Sequence, residues 1–290
     1  MIRKFWLENS LGNKFELTDK NFKYFLNAPN NLGFVKDIST ISFGNVERIV
    51  GEKYQHINPT GELIFCNSND GNYEDYYKYI QFIRYQPIKF YYLPPNTFNP
   101  YYQEGTIAQT DKSETSPTGE MRCPFYFKPV THWLTSDFNE LNLTSQMTGD
   151  GKTYPNSYPY HYSGNTLSEI SLSNDGSLPV GFILEITGST TDPQWSLYEE
   201  NGNEYGKGKL NGTFDYVRID SRDANEGIYL ENGGSVIANP SSYQDLSIAD
   251  GIAQITFVKL KMGKSLMSLA LGGGFNGNVR ISWRNTYVSV

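Results

Sequence analysis

Three histidines, His56, His132 and His161, are the side chains best suited to proton transfer or metal binding. They lie in three different contexts. None has a cysteine or carboxylate at metal-ligand spacing, so they read as structural or surface residues. The run from Ile219 to Gly227 holds Asp220, Asp223, Asn225 and Glu226, oxygen ligands that invite calcium. Their spacing does not match an EF-hand loop, and a polar hairpin loop is the simpler reading. Gly272-Gly273-Gly274 has no strand-to-helix context and no Lys-Ser/Thr after it, so it reads as a bulge or tight turn, not a phosphate loop. Glu199 and Glu200 raise the question of a glycosidase, with Trp195 and Trp283 stacking on sugar rings. The acids sit just before the Asn201-Gly202 turn, at a strand end, and alternating aromatics of a sandwich are more often core. Cys66 and Cys123 each fall in a strand-like run and read as buried free thiols. No Gly-x-Ser-x-Gly elbow is present. The expectation is no catalytic, metal-binding or cofactor-binding residue, no cofactor and no enzyme.

The elements that would position these residues are mostly strands. Phe5 and Leu7 alternate with polar neighbours, the turn-forming Asn9-Ser10-Leu11-Gly12-Asn13 follows, and Phe15 and Leu17 alternate again, which makes a hairpin. Residues 35–58 read as an extended, rather polar stretch with few ways to pair within their own domain: an arm or a long loop. GELIFCN is a strand. The one clear helix is predicted near 72–86, with Tyr73, Tyr76, Tyr77, Ile80 and Ile83 on its apolar face and Pro87 after it. IKFYYL follows at once. Residues 94–120 are Pro-, Asn-, Thr- and Ser-rich; Ile107 fits a short strand and the rest a loop. MRCPFYFKPVTHW closes the first unit. Beyond it, short strands such as EISLS, VGFILEITG, QWSLYEE, YVRID, GIYLE, SLMSLAL and NVRISW alternate with Gly/Asn/Asp turns, the pattern of an antiparallel sandwich. The division expected is residues 1–134, a linker region 135–165 and residues 166–290.

At 290 residues the chain is long enough for two modest domains, and 22 Tyr with 17 Phe suit β-structure. Residues 1–131 carry 14 Lys+Arg and 14 Asp+Glu, while 132–290 carry 10 and 17. Neither half is basic, which argues against nucleic acid as a partner. Trp6 is followed by Glu8, Asn9 and Ser10, so no signal peptide is expected. No window has transmembrane length, so no membrane is expected either.

Taken in order, several segments resemble the distal tail protein family of siphovirus-type phages. FWLENSLGNKFELTD followed by FLNAPNNLGF looks like the family's opening hairpin and its Gly-Leu-Gly-Phe-like segment, with Asn31 in place of the glycine before Leu32. GELIF, NYEDYYKYIQFI and IKFYYL look like its strand-helix-strand core. MRCPFYFKPVTHW looks like its closing strand, YPYHY before EISLSNDGSLPVGFILEITG like its linker and first second-domain strands, and VRISWRNTYVSV like its end. The resemblance implies an N-terminal β-domain with a packed helix over 1–134, which assembles into a six-fold ring, and a galectin-like antiparallel β-sandwich over 166–290, pointing outward. It implies a homo-hexamer, as a single or a stacked ring, in the virion at the tail tip. The partners implied are the tail-tube protein, the tail-tip hub protein and a receptor-binding protein, with assembly in the host bacterial cytoplasm.

Two rivals remain. A carbohydrate-binding protein would recognise host cell-wall polysaccharide through the C-terminal sandwich. It lacks a galectin-type His, Asn, Arg and Trp set, since His161 lies in the linker. A cell-wall-degrading enzyme would need a carboxylate pair or metal site, and neither is evident.

Overall fold

The computed structural model describes residues 3–18, 23–67, 71–144, 166–238, 253–255, 257–272 and 275–290. They form two compact units, Met1–Asp137 with Thr286–Val290, and Phe138–Asn285.

The first unit holds β1 (Lys4–Glu8), β2 (Lys14–Glu16), β3 (Tyr24–Asn30), β4 (Val35–Phe43), β5 (Val46–Gln55), β6 (Thr60–Phe65), α1 (Gly71–Ile83), β7 (Ile88–Leu93), β8 (Tyr101–Gln109), β9 (Met121–Pro129) and β10 (Trp133–Thr135). The main sheet runs β2-β1-β7-β8-β9-β6-β3, all antiparallel. A bridge between Thr18 and Phe25, with Leu26 N donating to Leu17 O, ties β3 to the chain just past β2. The two ends of the sheet are thus tied to each other at one point. Inside lies an aromatic core: Phe90 packs on Phe125, Phe127 and Trp133, and Phe5 stacks on Tyr92.

The opening hairpin forms as expected, with Phe5, Leu7, Phe15 and Leu17 all buried. Its turn is held by the Asn9 side chain, which accepts from the backbone of Leu11 and Asn13, while Ser10 N donates to Tyr85 O beyond the helix. Asn31, where the family pattern has glycine, sits at φ 62. Asparagine is among the few residues that tolerate this left-handed backbone.

Four expectations need correction. The helix face is shifted: Tyr76, Ile80 and Ile83 pack against the core as expected, but Asn72, Asp75 and Tyr79 are its buried residues, while Tyr73 and Tyr77 are exposed. Asn72 and Asp75 are buried because they are fully engaged. Asn72 accepts from Asn67 N at 2.7 Å and donates to Gly119 O at 2.8 Å, and Asp75 accepts from Asn67 Nδ2 at 3.0 Å. The helix also ends at Ile83, short of the predicted limit. β8 is a nine-residue strand where a loop with one short strand was read. Residues 139–144, read as linker, are a strand of the second unit.

That unit contains β11 (Asn139–Thr144), β12 (Thr166–Asn174), β13 (Phe182–Thr191), β14 (Gln194–Glu199), β15 (Glu204–Leu210), β16 (Thr213–Asp220), β17 (Gly227–Asn232), β18 (Ser235–Ala238), β19 (Ala253–Ile255), β20 (Gly263–Ala270) and β21 (Asn278–Trp283). Two antiparallel sheets result, β11-β21-β13-β16-β17-β18 and β12-β20-β14-β15-β19. Leu184, Ile186, Val217, Ile219 and Ile281 from one face Leu172, Leu197, Met267 and Leu269 from the other across a single core. The chain then ends in β22 (Thr286–Tyr287), which pairs with β10 of the first unit.

Candidate functional site

The feature that stands out in the first unit is β4 and β5. They pair only with each other, as an isolated two-stranded sheet. The two-residue loop Gly44-Asn45 joins them. The stretch is extended as expected, but it is not mainly polar. Phe34, Val35, Ile38, Ile41, Phe43, Val46, Ile49 and Val50 are each about half exposed or more, with Val46 at 66%. The register sorts them: Ile38, Ile49 and Tyr54 fall on one face, and Val35, Ile41, Phe43 and Val46 on the other. Both faces are thus apolar and uncovered among the described residues. A two-stranded hairpin is marginal in water by itself. This one has local braces at its base: Lys36 pairs with Glu52 and lies over the Tyr54 ring, and Phe34 meets Tyr54 edge-on at 5.5 Å. The bond to Glu52 raises the Lys36 pKa.

Just past β5, His56 meets His132, with ring centroids 4.2 Å apart and planes inclined at 33°. Burial first, and the neighbouring imidazole second, lower His132 to about 4. The sequence separation of the two histidines hid this pairing. His161 lies outside the described residues. Cys123 is buried and Cys66 half-buried, and burial pushes both thiols up, Cys123 to about 11. Neither is set up as a thiolate nucleophile.

The other sequence candidates fall into structural places. Asp220 is buried against Arg222, whose Nε and Nη2 donate to it at 2.9 and 2.6 Å, while Asp223 pairs with Lys259. Their charges are met by cations of the chain. Among the described residues, no group of three or more His, Cys, Asp or Glu could hold a metal ion. Glu199 ends β14 and pairs with Lys261. Gly272 has φ 82 and approaches β13 so closely that a Cβ would lie 2.3 Å from Thr191 O, whereas Gly273 and Gly274 fall outside the described residues. Trp195 and Trp283 are core residues, 3% and 6% exposed, so neither offers a ring to a sugar. Trp195 fits only because residue 208, across the strand pair, is glycine; a Cβ there would lie 2.0 Å from the indole. No helix among the described residues is long and apolar enough to cross a membrane.

Residues 4–130 match the family model described as the distal tail protein, N-terminal domain. No curated protein sequence matches the chain. Among solved structures, the SPP1 Dit protein, described as a paradigm of the hub adsorption apparatus in phages infecting Gram-positive hosts, superposes with a TM-score of 0.60 at 12% identity, covering 97% of this chain and 98% of that one. A chain of the phage p2 baseplate, in its activated conformation with strontium, superposes with a TM-score of 0.56 at 14% identity over 100% of both chains. The N-terminal sheet with its packed helix over residues 4–130 is therefore a distal tail protein N-terminal domain, in a chain that has the distal tail protein fold throughout.

Proposed function

We propose that the chain is a structural component of a phage tail tip or baseplate. In this reading it forms a hexameric hub ring between the tail tube and the host-adsorption apparatus, without catalysis of its own. The hairpin β4–β5 is the observation that carries the ring. It extends seven apolar side chains into solvent, and burial is worth about 1.5–3 kcal/mol for each Val, Ile or Phe fully covered. A second copy of the chain is its proposed cover. In a ring each subunit gives one arm and receives another, so the same two surfaces recur until the rotation closes and growth stops. The near-neutral N-terminal half supports the same reading, because six highly charged copies would repel one another. The tail-tube protein would dock on one face of the ring, and the tail-tip hub and receptor-binding proteins on the other or around its rim, in the virion.

Light scattering coupled to gel filtration, over a range of concentrations, tests the ring. The intact chain is expected to run as a hexamer or twice that. Replacing residues 36–54 by a short Gly-Ser linker is expected to leave a folded single chain. A strict monomer with the hairpin intact, or a ring that survives its removal, would overturn the proposal.

A further inference from the structure

The outward face of the six-stranded sheet of the second unit is not a plain polar surface. A pocket of about 420 Å³ opens on it, lined by Tyr216, Arg218, Asp220, Arg222, Asn225 and Tyr229. That volume lies within the ~300–1,000 Å³ typical of small-molecule sites. Its depth has a cause in the register: Asp220 stands opposite Gly227, so no side chain fills the space beside the carboxylate.

The lining is held in place. Asp220 is 6% exposed and accepts from Arg222 N, Nε and Nη2 at 3.1, 2.9 and 2.6 Å, and from Arg218 Nη2 at 3.5 Å. Tyr216 and Tyr229 meet edge-to-face, with centroids 5.7 Å apart and planes at 70°. Their hydroxyls donate outward to Glu185 and Glu231. Burial, and then the bond to Glu185, pushes the Tyr216 phenol up to about 12, so it stays a donor at neutral pH. Both rings are thus oriented before any ligand arrives, which reduces the ordering cost of binding.

The chemistry of this lining selects a class of ligand. Planar guanidinium and carboxylate groups offer paired donors and acceptors at the spacing of neighbouring hydroxyls. An aromatic ring beside them offers an apolar face to a patch of C–H groups. A pyranose carries both features on one small ring. Charge argues against an anion: Arg218 and Arg222 face Asp220 within the pocket, and Glu185 and Glu231 border it. The three carboxylates are offset by Arg218, Arg222 and, beside Glu185, Arg280, so no surplus positive charge is left to hold a phosphate or carboxylate.

We propose that this pocket binds a neutral pyranose presented by a polysaccharide, through Tyr229, Arg218 and Asn225 at its mouth, on the scaffold that Asp220 and Arg222 fix. The site is separate from Trp195 and Trp283, and it does not depend on the ring.

Saturation-transfer NMR on the full chain tests it, with glucose, galactose, rhamnose and N-acetylglucosamine added singly and glycerol phosphate as the anionic counterpart. At least one of the four sugars is expected to receive saturation, strongest at its ring C–H protons. Tyr229→Ala and Arg218→Ala are each expected to weaken that sugar about tenfold, a loss of ~1.4 kcal/mol, while Tyr198→Ala on the opposite sheet leaves it unchanged. These variants leave the buried Asp220–Arg222 pair intact, and circular dichroism confirms their fold. Absence of saturation for all four sugars at tens of millimolar would overturn the proposal. So would undiminished binding in the Tyr229→Ala, Arg218→Ala double variant, or a preference for glycerol phosphate over every neutral sugar.

Discussion

The hairpin β4–β5 and the strand pair β16–β17 use the same local rule and end in opposite states. In β17, and in β16 from Tyr216 onward, the side chains alternate. Phe214, Val217, Ile219, Ile228 and Leu230 go into the sandwich core, and Tyr216, Arg218 and Tyr229 go outward. In β4 and β5 apolar residues occupy both faces, and nothing described in the chain covers either one. A strand pair with one apolar face fits the outside of a folded unit. A pair with two apolar faces fits between two bodies. The difference points to a surface whose solvation is completed by another molecule, and it is why the hairpin carries the assembly proposal.

The largest effect is expected where coverage is complete. Leu184→Asp puts an unpaired carboxylate into the sandwich core, where Leu184 is fully buried, and costs at least about 4 kcal/mol. Loss of the second unit's cooperative unfolding in urea would show it. An ordinary transition would mean that core is looser than its packing implies. The paired change Phe43→Asp with Ile49→Asp puts charge on each face of the hairpin, and should reduce the assembly to single chains by light scattering. The urea midpoint of dilute protein should stay where it was. A lowered midpoint would mean that the hairpin is covered by its own chain, and the comparison would fail.

The root of the hairpin predicts a pH effect of intermediate size. His132 is held at about 4 against an ordinary 6.5, so the unfolded chain takes up its proton first as pH falls. Stability from this group is unaffected above pH 6.5, declines as pH drops through the window down to about 4, and is level below it. The loss is on the order of 1–2 kcal/mol once solvent screening is discounted. Urea midpoints between neutral pH and pH 4 should show the decline, and His132→Gln should flatten it. The smallest effect belongs to the exposed ion pairs. Arg280 bridges Glu140 and Glu185 at 2.8 and 3.3 Å on the sandwich's outer face. Arg280→Gln should lower the midpoint slightly at low salt and not at all at high salt. A large drop would mean that this face is more ordered than a solvated surface.

Strand periodicity made most of the β-architecture legible before any coordinates. The opening hairpin and the run of short strands after residue 166 follow from alternation and from turn residues. The phase of α1 followed only in part. Seven of its thirteen residues are aromatic or apolar, Tyr73, Tyr76, Tyr77, Tyr79, Ile80, Phe82 and Ile83, so the pattern points in nearly every direction. Burial of Asn72 and Asp75 was settled by Asn67 and Gly119, and no local spacing announces such partners. β11 was missed inside a stretch rich in turn formers, although Leu141 and Leu143 alternate there. Its partner, β21, comes more than a hundred residues later. The pocket on the second unit was equally hidden. Asp220, Asn225 and neighbouring residues drew attention as calcium ligands, and only the register with β17 showed Arg218 and the two tyrosines beside them.

By itself, then, the sequence determined most of the strands, the presence of the helix and the likeness to the distal tail proteins. Those depend on residue type at short range and on the order of segments along the chain. Tertiary structure decided the tie between the ends of the first sheet, the face that the helix presents, the bareness of the hairpin on both sides and the meeting of His56 with His132. Each of these is a contact between distant segments. Such contacts are set by which surfaces can be covered together, and that is a property of the packed whole.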